Sequence, residues 1–308
     1  MHPAADGKPA GVRFLAFNTV IDIEAYGDKA TCTAAFEEAR SLCRLYERLL
    51  SRTLPHSDIA RINNAQGAAT EIDPLTYDLL SKALVYCAES EGVFDITVGP
   101  AVRLWNFHEG VVPDADELAE AVRHVDWRGL KLWEAEGGRF AQLADPQAAV
   151  DAGGIAKGWI ADALVAAMEA RGLAGIIVNL GGNVAVSGAK PTGEPWRVGI
   201  RDPREPSQLI GAVPLACGSA VTSGVYERCF TAPDGTFYHH ILGPHTGMPV
   251  ETDVAGVTVI CEKSIDAEGF STTLLALGLK RGLALACRHP EISQAFFIDA
   301  AGTITAAR

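Results

Sequence analysis

The sequence predicts an α+β fold in which mixed or antiparallel sheets are flanked by helices. Its composition is that of a folded protein, since 48% of the 308 residues are hydrophobic and 21% are charged. Strand-like and helix-like stretches alternate irregularly, without the steady βαβ order of a doubly wound sheet. No internal repeat, low-complexity tract or linker separates two units. We therefore predict a flexible lead-in over residues 1–11 and a single domain over residues 12–308.

Apolar residues at helical spacing predict five main helices, and a short one after the polar segment SRTLPHSD. The segment at residues 92–107 carries Gly and Pro among large apolar side chains, which favours a loop that lines a cleft. The five helices are expected at residues 31–51, 74–91, 113–125, 155–171 and 266–288.

Alternating and β-branched apolar runs predict the strands. Residues 12–25 form one strand or a bent pair, and a further strand run leads to Asp151. A strand pair at residues 294–298 and 302–305 closes the chain. Six short strands are expected between these, at residues 176–179, 184–187, 196–200, 215–221, 237–241 and 256–261.

The chain is acidic, with 26 Lys and Arg against 38 Asp and Glu and a formal net charge of −12. General binding to nucleic acid or to anionic membranes needs a basic surface, so the charge argues against both functions. Seven cysteines occur without a Cys-x-x-Cys pair, so no zinc or dithiol motif is present. No apolar run approaches the ~20 residues that span a bilayer, and no signal-peptide pattern is seen. We expect a cytoplasmic protein, or an exported one if a leader was removed.

A glycine-rich turn at residues 151–158 (DAGGIAKG) precedes a predicted helix. Its two glycines let a ligand approach the backbone closely, and the free N–H groups of a helix start favour an anion. Lys157 lies about one turn into that helix and can reach the same anion. The alternative is a plain turn capped by Asp151. A second Gly-Gly step, at residues 181–182, is by itself only a turn signal.

Two further motifs carry ionisable side chains. Three of the eight histidines lie within residues 239–245, and adjacent strand residues point to opposite faces, so His239 and His240 are not expected to share a metal. One of them suits a general base, because imidazole titrates near neutrality, and a structural histidine is the alternative. Glu268 and Thr272 stand four apart on one helix face, which suits a hard cation such as Mg²⁺. Helix capping and solvated side chains are the alternative there.

Nine segments in a fixed order, between residues 14 and 279, resemble one family, the FAD:protein FMN transferases or ApbE-type flavin transferases. Each match is modest, but nine in the same order leave chance a poor explanation. The segments are FNTVIDIEAYG, LLSRTLPHSDIARIN, SEGVFDITVGPAVRLW, DAGGIAKGWIAD, VNLGGNVAVSG, WRVGIRDP, TSGVYERCF, GTFYHHILGPHTGMPV and AEGFSTTLLALG.

The resemblance implies an enzyme that binds FAD and Mg²⁺ in a cleft between two lobes of one catalytic domain. It transfers FMN to a Ser or Thr hydroxyl of a target flavoprotein, in an Asp-x-x-Ser/Thr-Gly-Ala-Ser/Thr motif, and releases AMP. His240 matches the presumed base of the family's His-Ile-x-x-Pro-x-Thr-Gly motif, and Lys157 is the second catalytic residue. The residues that match the metal site are Gly154, Glu268 and Thr272. Those expected at the FAD site are Val93, Phe94, Asp95, Asp151, Lys157, Phe17 and Thr53.

The chain departs from the family pattern at five positions. Glu268 stands where Asp is usual, Gly243 replaces an Asp, and His245 replaces an Arg. Phe17 stands where Met is common, and Thr53 stands where an aromatic residue often packs near the flavin. Because Glu is one methylene longer than Asp, we expect a displaced or weaker metal site. Two other functions stay open, an FAD pyrophosphatase that gives FMN and AMP and a non-catalytic FAD-binding protein.

Overall fold

The computed structural model describes residues 7–308, so residues 1–6 of the predicted lead-in lie outside the described residues. The helices are α1 (Lys29–Leu50), α2 (Asp58–Asn64), α3 (Pro74–Glu89), α4 (Gly99–Val102), α5 (Ala115–Val122), α6 (Ala156–Ala170) and α7 (Ser264–Arg288). The strands are β1 (Ala10–Ala16), β2 (Thr19–Tyr26), β3 (Thr70–Ile72), β4 (Leu130–Ala135), β5 (Gly138–Leu143), β6 (Ala174–Leu180), β7 (Asn183–Ser187), β8 (Trp196–Asp202), β9 (Glu205–Leu215), β10 (Cys217–Gly224), β11 (Cys229–Thr231), β12 (Phe237–His239), β13 (Gly256–Cys261), β14 (Ile292–Ile298) and β15 (Ile304–Ala307).

Eight strands form the central sheet, in the order β1-β2-β6-β7-β10-β13-β14-β15. Every neighbouring pair is antiparallel, which confirms the α+β prediction and selects the antiparallel arrangement. The predicted bent strand pair is the hairpin β1–β2, whose turn residues Phe17 and Asn18 have φ of 54° and 57°, as a type I′ turn requires. The hairpin begins at Ala10, two residues inside the segment predicted as a lead-in.

Helices α1, α6 and α7 cover one face of this sheet. Helix α6 packs against β6, β7 and both other helices, and α7 packs against β10, β13 and β14. Two apolar clusters fill the layer between helices and sheet, with Phe36, Ile160 and Leu274 fully buried. This packing places the start of α6 beside the first turns of α7, so Lys157 and Glu268 come from adjacent helices.

The hairpin β8–β9 packs on the opposite face of the sheet, with Trp196 and Leu215 in a third apolar cluster. The strand predicted at residues 215–221 is largely β10, but its start is wrong, because Leu215 ends β9 and β10 begins at Cys217. Leu215 and Ala220 are both buried in the same cluster although they belong to different sheets. The two strands therefore read in the sequence as one apolar run.

A smaller sheet, β3-β5-β4, packs with α2 and α3. Asp58 fastens the two helices together, because its carboxylate accepts hydrogen bonds from the backbone N–H of Asp73 (2.8 Å) and the hydroxyl of Thr76 (2.7 Å). The strand run predicted to lead to Asp151 is the pair β4 and β5, and it ends earlier, at Leu143. The segment predicted as a loop at residues 92–107 contains the one-turn helix α4.

Helix α7 begins where Asp162 of α6 supplies its cap. The carboxylate of Asp162 accepts hydrogen bonds from the backbone N–H groups of Ser264 (2.7 Å) and Ile265 (3.0 Å). Two N–H groups that a helix start leaves unpaired are thereby satisfied, and the negative charge suits the helix dipole. The cap fixes α7 relative to α6 at the end where the candidate site lies.

Helix α7 is also the one helix within residues 7–308 that is long and apolar enough to cross a membrane, judged on length and composition. Half of its apolar stretch is buried inside the protein, where it packs on the central sheet. The packing of α7 is therefore that of a core helix. At Gly278 its backbone leaves helical geometry (φ 71°, ψ −179°).

Candidate functional site

The glycine-rich turn before α6 is closed by Asp151. Residues Ala152–Gly154 form one turn of 3₁₀-helix, and Asp151 Oδ1 accepts a hydrogen bond from the backbone N–H of Gly153 at 2.8 Å. The other carboxylate oxygen lies 3.5 Å from Nε of Arg52, in the loop after α1. The capping role that the sequence left open is therefore present, and contact of Asp151 with FAD stays a prediction.

An ion pair between Lys157 and Glu268 occupies the centre of the candidate site. The ammonium of Lys157 contacts Oε1 of Glu268, and the side-chain amide of Asn183 donates a hydrogen bond to Oε2. The Glu268 side chain is 6% exposed and that of Lys157 is 29% exposed, so the carboxylate is buried and the ammonium reaches solvent. The hydroxyl of Ser264 donates to Oδ1 of Asn183 at 2.7 Å, which fixes the orientation of the amide.

Helices α6 and α7 approach closely because residue 158 is a glycine. A Cβ at Gly158 would lie 2.6 Å from the carbonyl oxygen of Ser264 and 2.8 Å from both Cα of Ile265 and Cβ of Glu268. Two of these three contacts are with backbone atoms, which cannot turn away as the end of a side chain can. The glycine therefore permits the spacing at which Lys157 reaches Glu268.

Thr272 lies one turn beyond Glu268 on α7, on the same helix face as predicted. Its hydroxyl is 3.2 Å from that of Ser223 on β10, which in turn is 2.8 Å from the hydroxyl of Ser271. Three hydroxyl groups therefore line the junction between β10 and α7, next to the Lys157–Glu268 pair.

The oxygen groups predicted to form the metal site are of types that suit a hard divalent cation. The carboxylate of Glu268, the hydroxyl of Thr272 and the carbonyl of Gly154 are the donor types that Mg²⁺ prefers, and Mg²⁺ takes few protein ligands together with phosphate and water. Among residues 7–308, no group of three or more His, Cys, Asp or Glu side chains is placed to hold a metal. In this structure the positive charge at Glu268 is the ammonium of Lys157.

The two adjacent histidines have different environments, as predicted. His239 is buried, and its ring nitrogens contact the carbonyl oxygen of Val250 (3.2 Å) and the backbone N–H of Ile241 (3.3 Å), so its role is structural. His240 is half-buried, and its Nδ1 is buried without a partner among the described residues. Burial, aided by the positive charge of Arg228, lowers the pKa of His240 to about 4. Its imidazole is therefore neutral at pH 7 and can accept a proton.

The departures from the family motif after His240 lie in a tight turn. The backbone N–H of Gly243 donates to the carbonyl of Met248 at 2.8 Å, and Leu242 pairs with Pro249 across the turn. His245 is exposed at its tip. The turn is thus closed by backbone hydrogen bonds that do not depend on the Asp and Arg of the usual motif.

Glu227, between β10 and β11, adds a second carboxylate. Its Oε1 lies 3.5 Å from the place that a Cβ on Gly182 would occupy. The residue is exposed overall, but protein packed around its carboxylate raises its pKa, and the positive charge of Lys157 opposes that rise. The positive charge of Lys157 also lowers the pKa of His240. We call Lys157, Glu227, His240 and Glu268 the charged cluster.

The segment predicted to line the FAD site supports the glycine-rich turn. The ring of Phe94 lies 3.1 Å from the place that a Cβ on Gly154 would occupy. Asp95 is buried, which raises its pKa, and its carboxylate accepts two hydrogen bonds from Thr97 (2.7 Å each) and one from the backbone N–H of Trp127 (3.2 Å). Asp95 therefore holds its own loop in place, and Phe94 is the side chain of this segment that contacts the turn.

The other predicted FAD residues lie in loops. Val93 is half-buried in the loop after α3. Phe17 is half-buried in the β1–β2 turn, and its backbone N–H donates to Glu47 of α1 at 2.8 Å. Thr53 is exposed just after α1, with its hydroxyl 3.1 Å from that of Ser51. Phe17 and Thr53 therefore lie near the same end of α1, and their contact with FAD stays a prediction.

Several residues of the site were not predicted from the sequence. Asn183, Ser223 and Glu227 lie in the segments NLGGN and TSGVYER, which the sequence singled out as glycine- and hydroxyl-rich turns. The contacts of Asn183 and Ser223 with α7 depend on β7 and β10 being neighbours in the sheet. A turn motif marks where such residues lie, but it does not show which helix they meet.

The fold and the site together define a class of protein. A helix start bearing Lys157, a buried carboxylate on the adjacent helix and a neutral imidazole suit an enzyme that acts on a phosphate ester or anhydride. The chain belongs to the ApbE family, whose model matches residues 17–297. This result confirms the family that the nine ordered segments indicated.

The chain is similar to named proteins and to solved structures over most of its length. The chain is 35% identical over 300 residues to the FAD:protein FMN transferase of Treponema pallidum (strain Nichols), which covers 92% of this chain and 82% of that protein. It is 33% identical over 279 residues to an FAD:protein FMN transferase of Klebsiella pneumoniae (strain 342), covering 88% and 83%. Among solved structures it is similar to the ApbE protein of Thermotoga maritima MSB8, with TM-score 0.89, 28% identity and coverage of 98% and 97%. The apo form of the flavinyl transferase ApbE of Pseudomonas stutzeri gives TM-score 0.82, 27% identity and coverage of 98% and 96%.

Proposed function

We propose that this chain is an FAD:protein FMN transferase, which moves FMN from FAD to a Ser or Thr hydroxyl of a target flavoprotein and releases AMP. Two relatives with this name, each matched by the chain over most of its length, support the proposal. The observation that carries it is the charged cluster, in which Lys157 pairs with Glu268 and lies within electrostatic range of the neutral His240. An acceptor motif of the Asp-x-x-Ser/Thr-Gly-Ala-Ser/Thr type is part of the same proposal.

The reaction needs a base for one proton. The acceptor hydroxyl attacks the phosphorus on the FMN side of FAD, the bond from that phosphorus to the bridging oxygen breaks, and the bridging oxygen leaves with AMP. The hydroxyl proton must go to a group with a free lone pair at neutral pH. His240 has such a lone pair, because burial lowers its pKa to about 4 and keeps the imidazole neutral at pH 7, at the cost of a weaker base. Base assistance of this kind is worth about 10²–10⁴-fold in rate.

The remaining groups bind and orient the diphosphate. Lys157 lies in the first turn of α6, where backbone N–H groups and the helix dipole favour an anion, and its ammonium adds a full positive charge. Gly154, Glu268 and Thr272 would hold Mg²⁺, which when bound neutralises charge on the phosphate oxygens. Asn183 holds the Glu268 carboxylate in a fixed orientation through its amide.

A hydrolytic function is the second candidate. Glu227 is exposed and Lys157 is partly exposed, so water can reach the charged cluster and take the place of the acceptor hydroxyl. The products would then be FMN and AMP, as for an FAD pyrophosphatase. A third candidate, a non-catalytic FAD-binding protein, rests on the Glu268 departure from the family pattern.

AMP release separates these functions. The protein is incubated with FAD and Mg²⁺, with and without an acceptor domain that a second transferase is known to modify. A transferase releases AMP in step with a gel-stable fluorescent flavin on the acceptor, whereas a pyrophosphatase releases AMP at the same rate without the acceptor. Failure to release AMP in either mixture contradicts both enzymatic functions. His240→Ala should lower the rate by at least about 10²-fold, and His108→Ala, an exposed histidine elsewhere, is the control.

A further inference from the structure

The Lys157–Glu268 ion pair occupies the same carboxylate that a divalent cation would bind. Both oxygens of the Glu268 carboxylate have partners in the chain itself, since Lys157 contacts one and Asn183 donates to the other. The Asn183 amide is neutral and does not oppose a cation. The ammonium of Lys157 does, because two positive charges at one buried carboxylate repel strongly. A divalent cation that binds Glu268 must therefore displace the ammonium.

The length of the Glu268 side chain makes the ion pair possible. Gly158 brings the backbones of α6 and α7 together, and the extra methylene of Glu, about 1.5 Å long, carries the carboxylate out towards Lys157. An Asp at position 268 would hold its carboxylate nearer the α7 backbone and farther from the ammonium. The ion pair is thus linked to the residue at which this chain departs from the usual family pattern.

Other groups can receive the displaced ammonium. Lys157 is 29% exposed, so it lies at the edge of the cleft and not in the core. Glu227 lies within electrostatic range of Lys157 and forms no ion pair with a basic side chain within residues 7–308, so its carboxylate is available. A diphosphate bound at the start of α6 would attract the ammonium in the same direction.

We propose that Lys157 acts as an internal substitute for the cation at Glu268, so that a diphosphate ligand and a divalent cation bind cooperatively. The diphosphate draws Lys157 away from Glu268, and the freed carboxylate then accepts the cation. Without the diphosphate, the ammonium competes with the cation and weakens its binding. This inference rests on the proposed function for the identity of the ligands, FAD and Mg²⁺, but it concerns binding and not turnover.

Binding of Mn²⁺ to the ligand-free protein tests the proposal. Free Mn²⁺ is measured by its electron paramagnetic resonance signal in titrations of the parent, Lys157→Met and Lys263→Met. Lys263 is exposed at the start of α7, so its variant removes a nearby charge and leaves the Glu268 ion pair intact. We expect Lys157→Met to bind Mn²⁺ about tenfold more tightly than the parent, which is within the usual range of coupling between sites, and Lys263→Met to stay within about twofold. Glu268→Asp, which shortens the side chain, should also bind Mn²⁺ more tightly.

Addition of FAD completes the test. The titrations are repeated with saturating FAD in a His240→Ala background, which slows turnover at least about 10²-fold, and the affinity of Mn²⁺ for free FAD is measured separately. The advantage of Lys157→Met over the parent should disappear, because Lys157 has already left Glu268. If Lys157→Met binds Mn²⁺ no more tightly than Lys263→Met without FAD, the substitution of Lys157 for the cation is refuted. Release of AMP by the parent protein in that case would leave the proposed function intact, and circular dichroism checks that each variant is folded.

Discussion

Replacement of Gly158 by alanine tests the packing on which the site depends. In most helices this change is stabilising, because Gly costs about 1 kcal/mol relative to Ala in a helix interior. Here the new Cβ would lie 2.6 Å from the carbonyl oxygen of Ser264 and 2.8 Å from Cα of Ile265. The two helices would have to separate by several tenths of an ångström to restore ordinary contact distances. We therefore expect the change to destabilise the protein.

The magnitude follows from two opposing terms. Overpacking of a tight interior costs about 1–3 kcal/mol, and the upper part of this range applies because backbone atoms of α7 are involved. The gain in helix propensity returns about 1 kcal/mol. The expected net loss in the free energy of unfolding is about 1–2 kcal/mol. Because the same shift also disturbs the spacing of Lys157, Glu268 and Thr272, which the proposed function needs for FAD and Mg²⁺, AMP release should fall as well.

Urea unfolding measures this prediction directly. The control is Ala166→Gly at an exposed position of the same helix, which reports the propensity term alone and should cost about 1 kcal/mol. A Gly158→Ala variant that is as stable as the parent, or more stable, would show that α6 and α7 do not approach as closely as described. The account of how Lys157 reaches Glu268 would then be wrong.

Two further predictions concern His240 and Asp162. The pKa of His240 is lowered to about 4, so between about pH 4 and 6.5 its imidazole binds a proton more tightly in the unfolded chain than in the folded one. The free energy of unfolding should therefore rise with pH across that window. If His240 is the base, the acidic limb of kcat/KM should lie near pH 4. Nuclear magnetic resonance titration of the imidazole checks this, and a midpoint near 6.5 contradicts it. Asp162→Ala leaves the N–H groups of Ser264 and Ile265 without their acceptor, so urea unfolding should show a loss of about 2 kcal/mol, whereas a loss below about 0.5 kcal/mol would contradict the cap.

The main helices could be predicted from the sequence because their apolar residues repeat at helical spacing. Helix α1 extends over Lys29–Leu50 where residues 31–51 were predicted, and α6 over Ala156–Ala170 where 155–171 were predicted. The three-residue strands β3 and β11 are too short to show a period. Strand β9 was missed because its end runs into β10 without a turn signal.

The candidate site could be predicted in its residue types but not in its pairing. Lys157 and Glu268 were each singled out, one for an anion and the other for a cation, yet they are 111 positions apart in the chain. Their ion pair depends on the Gly158 contact and on the Asp162 cap, which are properties of two packed helices. For Asp95, the resemblance of the sequence to the family implied a place at the FAD site. In the structure its carboxylate accepts hydrogen bonds from Thr97 and Trp127, which the sequence did not indicate.

The most direct test of the central claim is the intact mass of an acceptor domain after incubation with FAD, Mg²⁺ and this protein. We predict an increase equal to FMN less one water, which is lost when the acceptor Ser or Thr is changed to Ala. The increase should be at least about 10²-fold slower with His240→Ala, whose FAD binding is retained. An unmodified acceptor in a mixture that accumulates free FMN and AMP would contradict the transferase and establish a hydrolase instead.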